Sequence, residues 1–202
     1  MSLRILARTL AVSLRAMVVA TVVLGIGYTL LITAVGQLAL PWQAGGSLVT
    51  DSTGRVVGSA LIGQSFADAE GVPLAQYLQS RPSAAGDGYD AGASGGSNEG
   101  PENATLIEQI AQRQAAIATR DAVAVAAIPA DAVTASASGL DPHISPEYAL
   151  LQVPRIAAAR DLDEATVREM IESRIQSRDL GYLGQPRVNV LEVNLALDRL
   201  EG

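Results

Sequence analysis

Residues 16–40 read AMVVATVVLGIGYTLLITAVGQLAL, an apolar run without a charged side chain. At about 1.5 Å rise per residue, its roughly 21 most apolar residues make a helix of about 30 Å, the thickness of a bilayer's hydrocarbon core. Hydrocarbon supplies no hydrogen-bond partners, so the backbone must satisfy itself, which predicts a helix across the membrane. The run is longer than the apolar stretch of a cleaved signal peptide, although Ala34-Val35-Gly36 has the small residues of a weak cleavage site. A retained anchor is therefore the preferred reading.

Outward from this run the chain divides in two. Before it, residues 1–15 form a short tail with Arg4, Arg8 and Arg15, and no acid appears until Asp51. Arginine beside a span favours the cytoplasmic side, which predicts a cytoplasmic N-terminus and an extracytoplasmic domain over residues 41–202. Trp42 stands where an interfacial aromatic anchors the outer end of a span. Gly25, Gly27 and Gly36 would let a neighbouring helix approach closely.

Composition narrows the chemistry. The chain has 202 residues and a formal net charge of −7. Removing the arginine-bearing tail makes the remaining domain more acidic still, which argues against a nucleic-acid partner. There is no cysteine, so disulfides, thiolate catalysis and cysteine-ligated metals are excluded. Every basic residue is arginine, and a Walker A phosphate loop, which requires lysine, is excluded as well.

The domain reads as α+β, with a short hairpin or small sheet and several helices. Ser47-Leu48-Val49-Thr50 and Arg55-Val56-Val57-Gly58-Ser59 flank the turn cluster Asp51-Ser52-Thr53-Gly54, the pattern of a hairpin. Residues 60–64 extend the second strand, and residues 74–78 make about one helical turn in this reading. Residues 81–101, RPSAAGDGYDAGASGGSNEGP, are dominated by small and turn-forming residues, which predicts a long loop. Asn103 caps a helix with Leu106, Ile110 and Ile117 on one face, ending near Arg120 or Asp121. Val133-Thr134-Ala135 is read as a short strand, and residues 138–144 as a loop. Ser145-Pro146-Glu147 combines an N-cap, proline at the first helical position and an acid in the first turn. Pro154 should interrupt that helix. Asp163 caps another, with Val167, Ile171 and Ile175 four apart. Near the end, residues 187–193 have strand character, but Asn189 with Glu192 resembles a capping box and Val190, Val193, Leu197 and Leu200 fit one helical face; a very short strand running into a helix is the preferred reading.

Candidate chemistry is sparse. His143 is the sole histidine and lies beside Asp141; the alternatives are a turn residue and a Ser/His hydrolase, but no G-x-S-x-G elbow is present. Ser94-Gly95-Gly96-Ser97-Asn98 could cradle an anion with its amides or serve as a structural or partner-binding loop. Leu61-Ile62-Gly63-Gln64 faintly resembles the signature loop of ABC ATPases, which makes Gln64 a candidate nucleotide contact against the plainer reading of a strand ending in a turn. No carboxylate pair has a spacing that marks it for acid–base work. From the residues alone, the chain is an anchored acidic domain without an evident active site. An accessory subunit is the simplest reading, with a stand-alone anchored binding domain or a hydrolase as alternatives.

A specific resemblance is carried by the loops. In order come Leu40-Pro41-Trp42-Gln43-Ala44, Gly58-Ser59-Ala60-Leu61-Ile62-Gly63-Gln64-Ser65-Phe66, Arg81-Pro82-Ser83-Ala84 and Ser94-Gly95-Gly96-Ser97-Asn98. After them stand residues 133–145, VTASASGLDPHIS, then Gly184-Gln185-Pro186-Arg187-Val188-Asn189-Val190-Leu191 and Asn194-Leu195-Ala196-Leu197-Asp198. Together these resemble the C subunits of Kdp potassium-transporting ATPases over nearly the whole chain. Leu78, where the family often has an aromatic, and Glu99, where it often has an apolar residue, depart from the pattern.

The resemblance implies a non-catalytic subunit of a high-affinity, ATP-driven potassium importer in the bacterial inner membrane. It implies two large partners, a channel-like potassium-binding subunit and a P-type ATPase subunit, with a small single-span subunit as a further candidate and membrane lipid around the span. ATP and potassium would be handled by the complex, with no cofactor tightly bound to this chain. The family's C subunit is described as needed for assembly and as a catalytic chaperone that raises the ATP affinity of the ATPase subunit. Arg81, Pro82, Ser83, Gly95, Gly96, Ser97, Asn98, Asp141 and His143 are the partner or loop candidates. The predicted topology leaves only the short tail in the cytoplasm, so an effect on nucleotide affinity would be a long-range coupling rather than direct contact by Gln64.

Overall fold

The computed structural model describes residues 3–200, so the first two residues of the tail and the last two of the domain lie outside it. The chain divides into two compact units between Leu48 and Val49.

The first unit is built on one continuous 37-residue helix, Leu3–Ala39, long and apolar enough to cross a membrane. It starts well before residue 16, because the arginine-bearing tail is helical too. Its parts are α1 (Leu3–Ala20), a π-helical stretch Thr21–Tyr28 and α2 (Thr29–Ala39). The π stretch contains Gly25 and Gly27, and Thr29 Oγ1 donates to the Gly25 carbonyl at 2.8 Å, the local back-bonding that bends helices in apolar surroundings. None of the helix's described side chains is buried. Such an apolar, exposed surface is consistent with a membrane span. The short helix α3 (Pro41–Ala44) follows, and Trp42 Nε1 donates to the Leu48 carbonyl at 3.1 Å.

The second unit is α+β, with two small two-stranded sheets. The expected hairpin is present as β1 (Leu48–Thr50) and β2 (Val56–Ser59). Asp51 organises its turn: one carboxylate oxygen accepts from the Thr53 amide, the Thr53 hydroxyl and the Arg55 amide at 2.9, 2.6 and 3.0 Å. The Thr53 hydroxyl bond comes first among the causes that hold this carboxyl at about 2, well below its ordinary value.

Several expectations for this unit need correction. β2 stops at Ser59, and residues 60–62 turn instead of extending it, with the Ile62 amide donating to the Ser59 carbonyl at 3.3 Å. Residues 74–78 form a turn and no helix. The 133–135 stretch is not a strand; a 3₁₀ turn, Ala130–Ala132, leads into it. The strand lies later, at β3 (His143–Ile144), pairing antiparallel with β4 (Val188–Asn189), His143 opposite Asn189. This pairing joins residues some 45 apart in sequence, so neither side of it announces its partner locally.

The helices follow their predicted signals more closely. α4 (Ala104–Asp121) is capped by Asn103, whose side chain accepts from the Thr105 amide at 2.8 Å, and it ends at a left-handed Ala122. Ser145 caps α5 (Pro146–Leu151) through a bond from the Tyr148 amide at 3.1 Å. The break near Pro154 occurs at Gln152, where α5 gives way to α6 (Val153–Arg160). α7 (Glu164–Glu172) has Asp163 at its N-cap in extended geometry, but without the side-chain bond expected of a cap. α8 (Val190–Leu200) continues directly from β4; Asn189 Oδ1 accepts from the Glu192 amide at 3.2 Å, half of a capping box.

These helices enclose one core. Ile117, Tyr148, Val153, Ile156, Val167, Ile171, Val188, Val193 and Leu197 form a single buried cluster. Leu200, expected on the same face of α8, is exposed. Polar ties run through the core. The Asp121 side chain is fully buried, accepting from Arg155 Nε at 2.6 Å and Arg120 Nη2 at 2.7 Å. Asn194 receives the Leu78 amide at 2.7 Å and donates to the Leu78 carbonyl at 3.0 Å, stitching the loop before residue 80 to α8.

Candidate functional site

The loops that looked least informative in isolation meet at one place in the second unit. The Gly63 amide donates to the Leu140 carbonyl at 2.8 Å, and the Ser80 hydroxyl to the Gln64 carbonyl at 3.1 Å. The Ser83 hydroxyl donates to the Gly139 carbonyl at 2.6 Å while accepting from the amides of Ala85 and Tyr89 at 3.1 and 2.8 Å. Farther along the same loop, the Gly95 amide and the Ser94 hydroxyl both reach the Ser138 carbonyl, at 2.9 and 3.0 Å. Asn189 Nδ2 closes the cluster from β4, donating to the Ala60 carbonyl at 2.8 Å.

Two glycines make this convergence sterically feasible. A Cβ on Gly63 would sit 2.6 Å from the Asp141 carbonyl oxygen and 2.8 Å from the Tyr89 ring. Gly139 has φ +67°, and a Cβ there would lie 2.6 Å from the Ala85 nitrogen and 2.8 Å from the Gly95 carbonyl oxygen. Both positions thus need glycine for close backbone approach, and Gly139 needs it for its dihedral angle too.

At the centre lies Arg81. Its Nη1 donates to Asp141 Oδ2 at 3.0 Å, and Nε and Nη2 share the Thr134 carbonyl at 3.3 and 3.2 Å. The other Asp141 oxygen accepts the His143 amide at 3.0 Å and lies 3.4 Å from His143 Nδ1. Burial acts to raise the Asp141 carboxyl, but the His143 hydrogen bonds and the Arg81 guanidinium together hold it below its ordinary value. Tyr89 stands over the same point with a left-handed backbone, φ +58°, and its hydroxyl donates to the Arg81 carbonyl. Burial pushes that phenol up to about 12.

The predicted residues therefore have different fates. Arg81, Asp141 and His143 come together, with Ser83 nearby in the same loop cluster. Pro82 lines a neighbouring cavity of about 350 Å³ that also holds Tyr89, Arg113 and Arg120. Gly96 packs against the backbone of Ala137. Asn98 turns back on its own loop, donating to the Gly96 carbonyl at 3.1 Å, while Ser97 lines a separate small cavity with Glu99. The proposed anion cradle loses its Gly95 amide to Ser138. Gln64 is partly buried, its side-chain oxygen 3.2 Å from where a Gly58 Cβ would stand.

A cleft of about 600 Å³ opens beside the cluster, lined by Arg81, Asp131, Asp141, His143, Ser145 and Arg187 among others. Ser145 is its nearest candidate nucleophile, yet its hydroxyl donates to Asp131 Oδ1 at 2.9 Å and accepts from the Tyr148 amide. Among the described residues no serine hydroxyl hydrogen-bonds to His143, and no group of three or more His, Asp or Glu side chains could hold a metal ion. The Arg81, Ser83, Asp141 and Ser145 side chains bond to one another, to neighbours and to backbone, which ties the loops into one arrangement.

Sequence reading missed the interior polar groups. Gln79, Gln152 and Asn194 are buried and tie distant segments together, the Gln152 side chain accepting from the Gln79 amide at 2.8 Å. Asp131 was likewise missed, although it accepts both the amide and the hydroxyl of Ser145 at 2.7 and 2.9 Å. Each lies in an unremarkable local context, and only the fold supplies its partner.

The family described as "K+-transporting ATPase, c chain" matches residues 10–199. The chain is 54% identical over 178 residues to the potassium-transporting ATPase KdpC subunit of Caulobacter vibrioides, covering 88% of this chain and 86% of that protein. It is 50% identical over 183 residues to the KdpC subunit of Acidobacterium capsulatum, covering 91% and 94%. The KdpC subunit of Myxococcus xanthus is 47% identical over 194 residues, covering 96% and 89%.

Proposed function

Because this chain belongs to the KdpC family of K+-transporting ATPase c chains, we propose that it serves its potassium-transporting ATPase as a non-catalytic, membrane-anchored subunit. Its partners in this reading are the channel-like potassium-binding subunit and the P-type ATPase subunit. The observation that carries the reading is the loop cluster around Arg81. Its loops are among those through which the chain resembles its family, and they hydrogen-bond to one another across the chain. Such a face is built to hold its shape against another protein.

The anchor helix sits in the inner membrane with its arginine-bearing end in the cytoplasm, as the charge bias of Arg4, Arg8 and Arg15 favours. The second unit is then extracytoplasmic, and ATP lies on the opposite side of the membrane. The chain acts as a catalytic chaperone by favouring the conformation of the complex that binds ATP well. Linkage requires that ATP in turn tighten the complex's hold on this chain. Gln64 is a packing residue of the loop cluster in this view, not a nucleotide contact.

The test compares potassium-stimulated ATP hydrolysis by the purified complex with and without this chain. The expected result is a lower KM for ATP when the chain is present, and loss of potassium stimulation when it is absent. Equal KM and equal stimulation in the two preparations would overturn the proposal. A Gln64→Ala complex that keeps the low KM would support coupling over contact; a selective rise in KM in that variant would favour contact.

A further inference from the structure

Between α7 and β4 the chain makes a small hairpin that takes no part in the loop cluster's hydrogen bonds. Gln176 pairs with Arg187 and Asp179 with Leu183, both antiparallel. At the tip, Leu180 has φ +53° and Gly181 φ +82°. The Gly181 amide donates to the Arg178 carbonyl at 3.1 Å, and the Tyr182 amide to the Asp179 carbonyl at 3.3 Å. A turn with both central residues left-handed takes Asn, Asp or Gly by preference. A leucine there carries a steric penalty from its Cβ.

That penalty brings nothing to the domain itself. Leu180 is 81% exposed, Tyr182 70% and Leu183 48%. A strained residue that also exposes its apolar side chain contributes to something outside the fold. The charges point the same way. Arg174, Arg178 and Arg187 stand against the single acid Asp179 in this hairpin, within a chain of net charge −7. Among the described residues neither Arg174 nor Arg178 makes an ion pair, and Arg187 reaches only the exposed Asp179, at 3.4 Å.

We infer that this tip is a docking knob: Leu180, Tyr182 and Leu183 seat in an apolar pocket on another subunit of the transport complex, with carboxylates at the pocket's rim facing Arg174 and Arg178. The inference rests on the subunit reading above. A protein pocket is favoured over lipid because a bilayer accepts apolar side chains in any backbone conformation. A turn held in a strained shape by ladder bonds is an advantage only against a partner of fixed shape. Tyrosine and arginine around an apolar centre are also the composition of interface hot spots.

The test places a photo-crosslinking benzoylphenylalanine at position 182 of the full chain, co-expressed with the other subunits, and irradiates the membranes. The expected product is a covalent adduct with another subunit, lost when Arg178→Gln and Leu180→Asn are added. In parallel, Leu180→Asn alone should leave the unfolding temperature of the full chain in detergent unchanged or raised, because asparagine tolerates the left-handed region. It should nevertheless speed dissociation of the complex by about tenfold. Adducts with lipid alone, adducts with a second copy of this chain, or no adduct from an intact complex would each overturn the knob and leave the subunit reading standing. If the unsubstituted chain fails to co-purify with any partner, the subunit reading falls and the knob with it.

Discussion

The Arg81 guanidinium bonds to oxygen on both sides: the Asp141 carboxylate on one and the Thr134 carbonyl on the other. This arrangement has a titration consequence. With Asp141 held below its ordinary value, its contribution to stability is complete above the ordinary carboxylate range and is lost as pH falls through its own lower value. Arg81→Gln removes a positive neighbour, so Asp141 should titrate closer to its ordinary value. Less stability should then be lost between about pH 5 and pH 2 than in the parent protein. Carbon-13 NMR titration of the Asp141 carboxyl checks the first expectation, and denaturant unfolding at several pH values checks the second. Gly139 makes a steric prediction at the same scale. Gly139→Ala places a methyl against the Ala85 and Gly95 backbones at a left-handed position, and should cost about 2–4 kcal/mol of unfolding free energy. Neither residue's role was legible in sequence beyond its membership of a motif, because a glycine's neighbours across a loop cluster leave no local trace.

Elements were more legible than the contacts between them. The caps at Asn103 and Ser145 are local chemistry and appear where their residues predict, and the break expected at Pro154 falls just before it, at Gln152. The misplaced strand shows the limit. Val133-Thr134-Ala135 has strand propensity but no partner, whereas His143–Ile144 becomes a strand because Val188–Asn189 pairs with it. Strand propensity is mostly a statement about such surroundings. Ties between elements were invisible for the same reason. Asp121 at the end of α4 holds Arg155 of α6, with side-chain exposures of 0% and 8%. Asp121→Asn leaves two arginines, one of them deeply buried, without their carboxylate and should destabilise the domain by about 3 kcal/mol. Urea unfolding followed by circular dichroism measures this. A loss under about 1 kcal/mol would mean that water or another acid replaces the carboxylate.

At the scale of the whole molecule, the chain joins one apolar helix, long enough to cross a membrane, to one α+β unit. The apolar helix was legible because a charge-free run of this length has few alternatives in water. The position of the helix's start was not, since its arginine-bearing first turns are helical without being apolar. The candidate site was legible only as an ordered series of motifs, and the fold gives the reason they occur together: their loops bond to one another across the chain. Purifying the tagged chain in mild detergent, from membranes of its own cells grown in low potassium, tests the subunit assignment most directly. Co-elution of two larger membrane subunits with potassium-stimulated ATP hydrolysis is the expected result. A lone, monodisperse chain from cells shown to contain those subunits would contradict it.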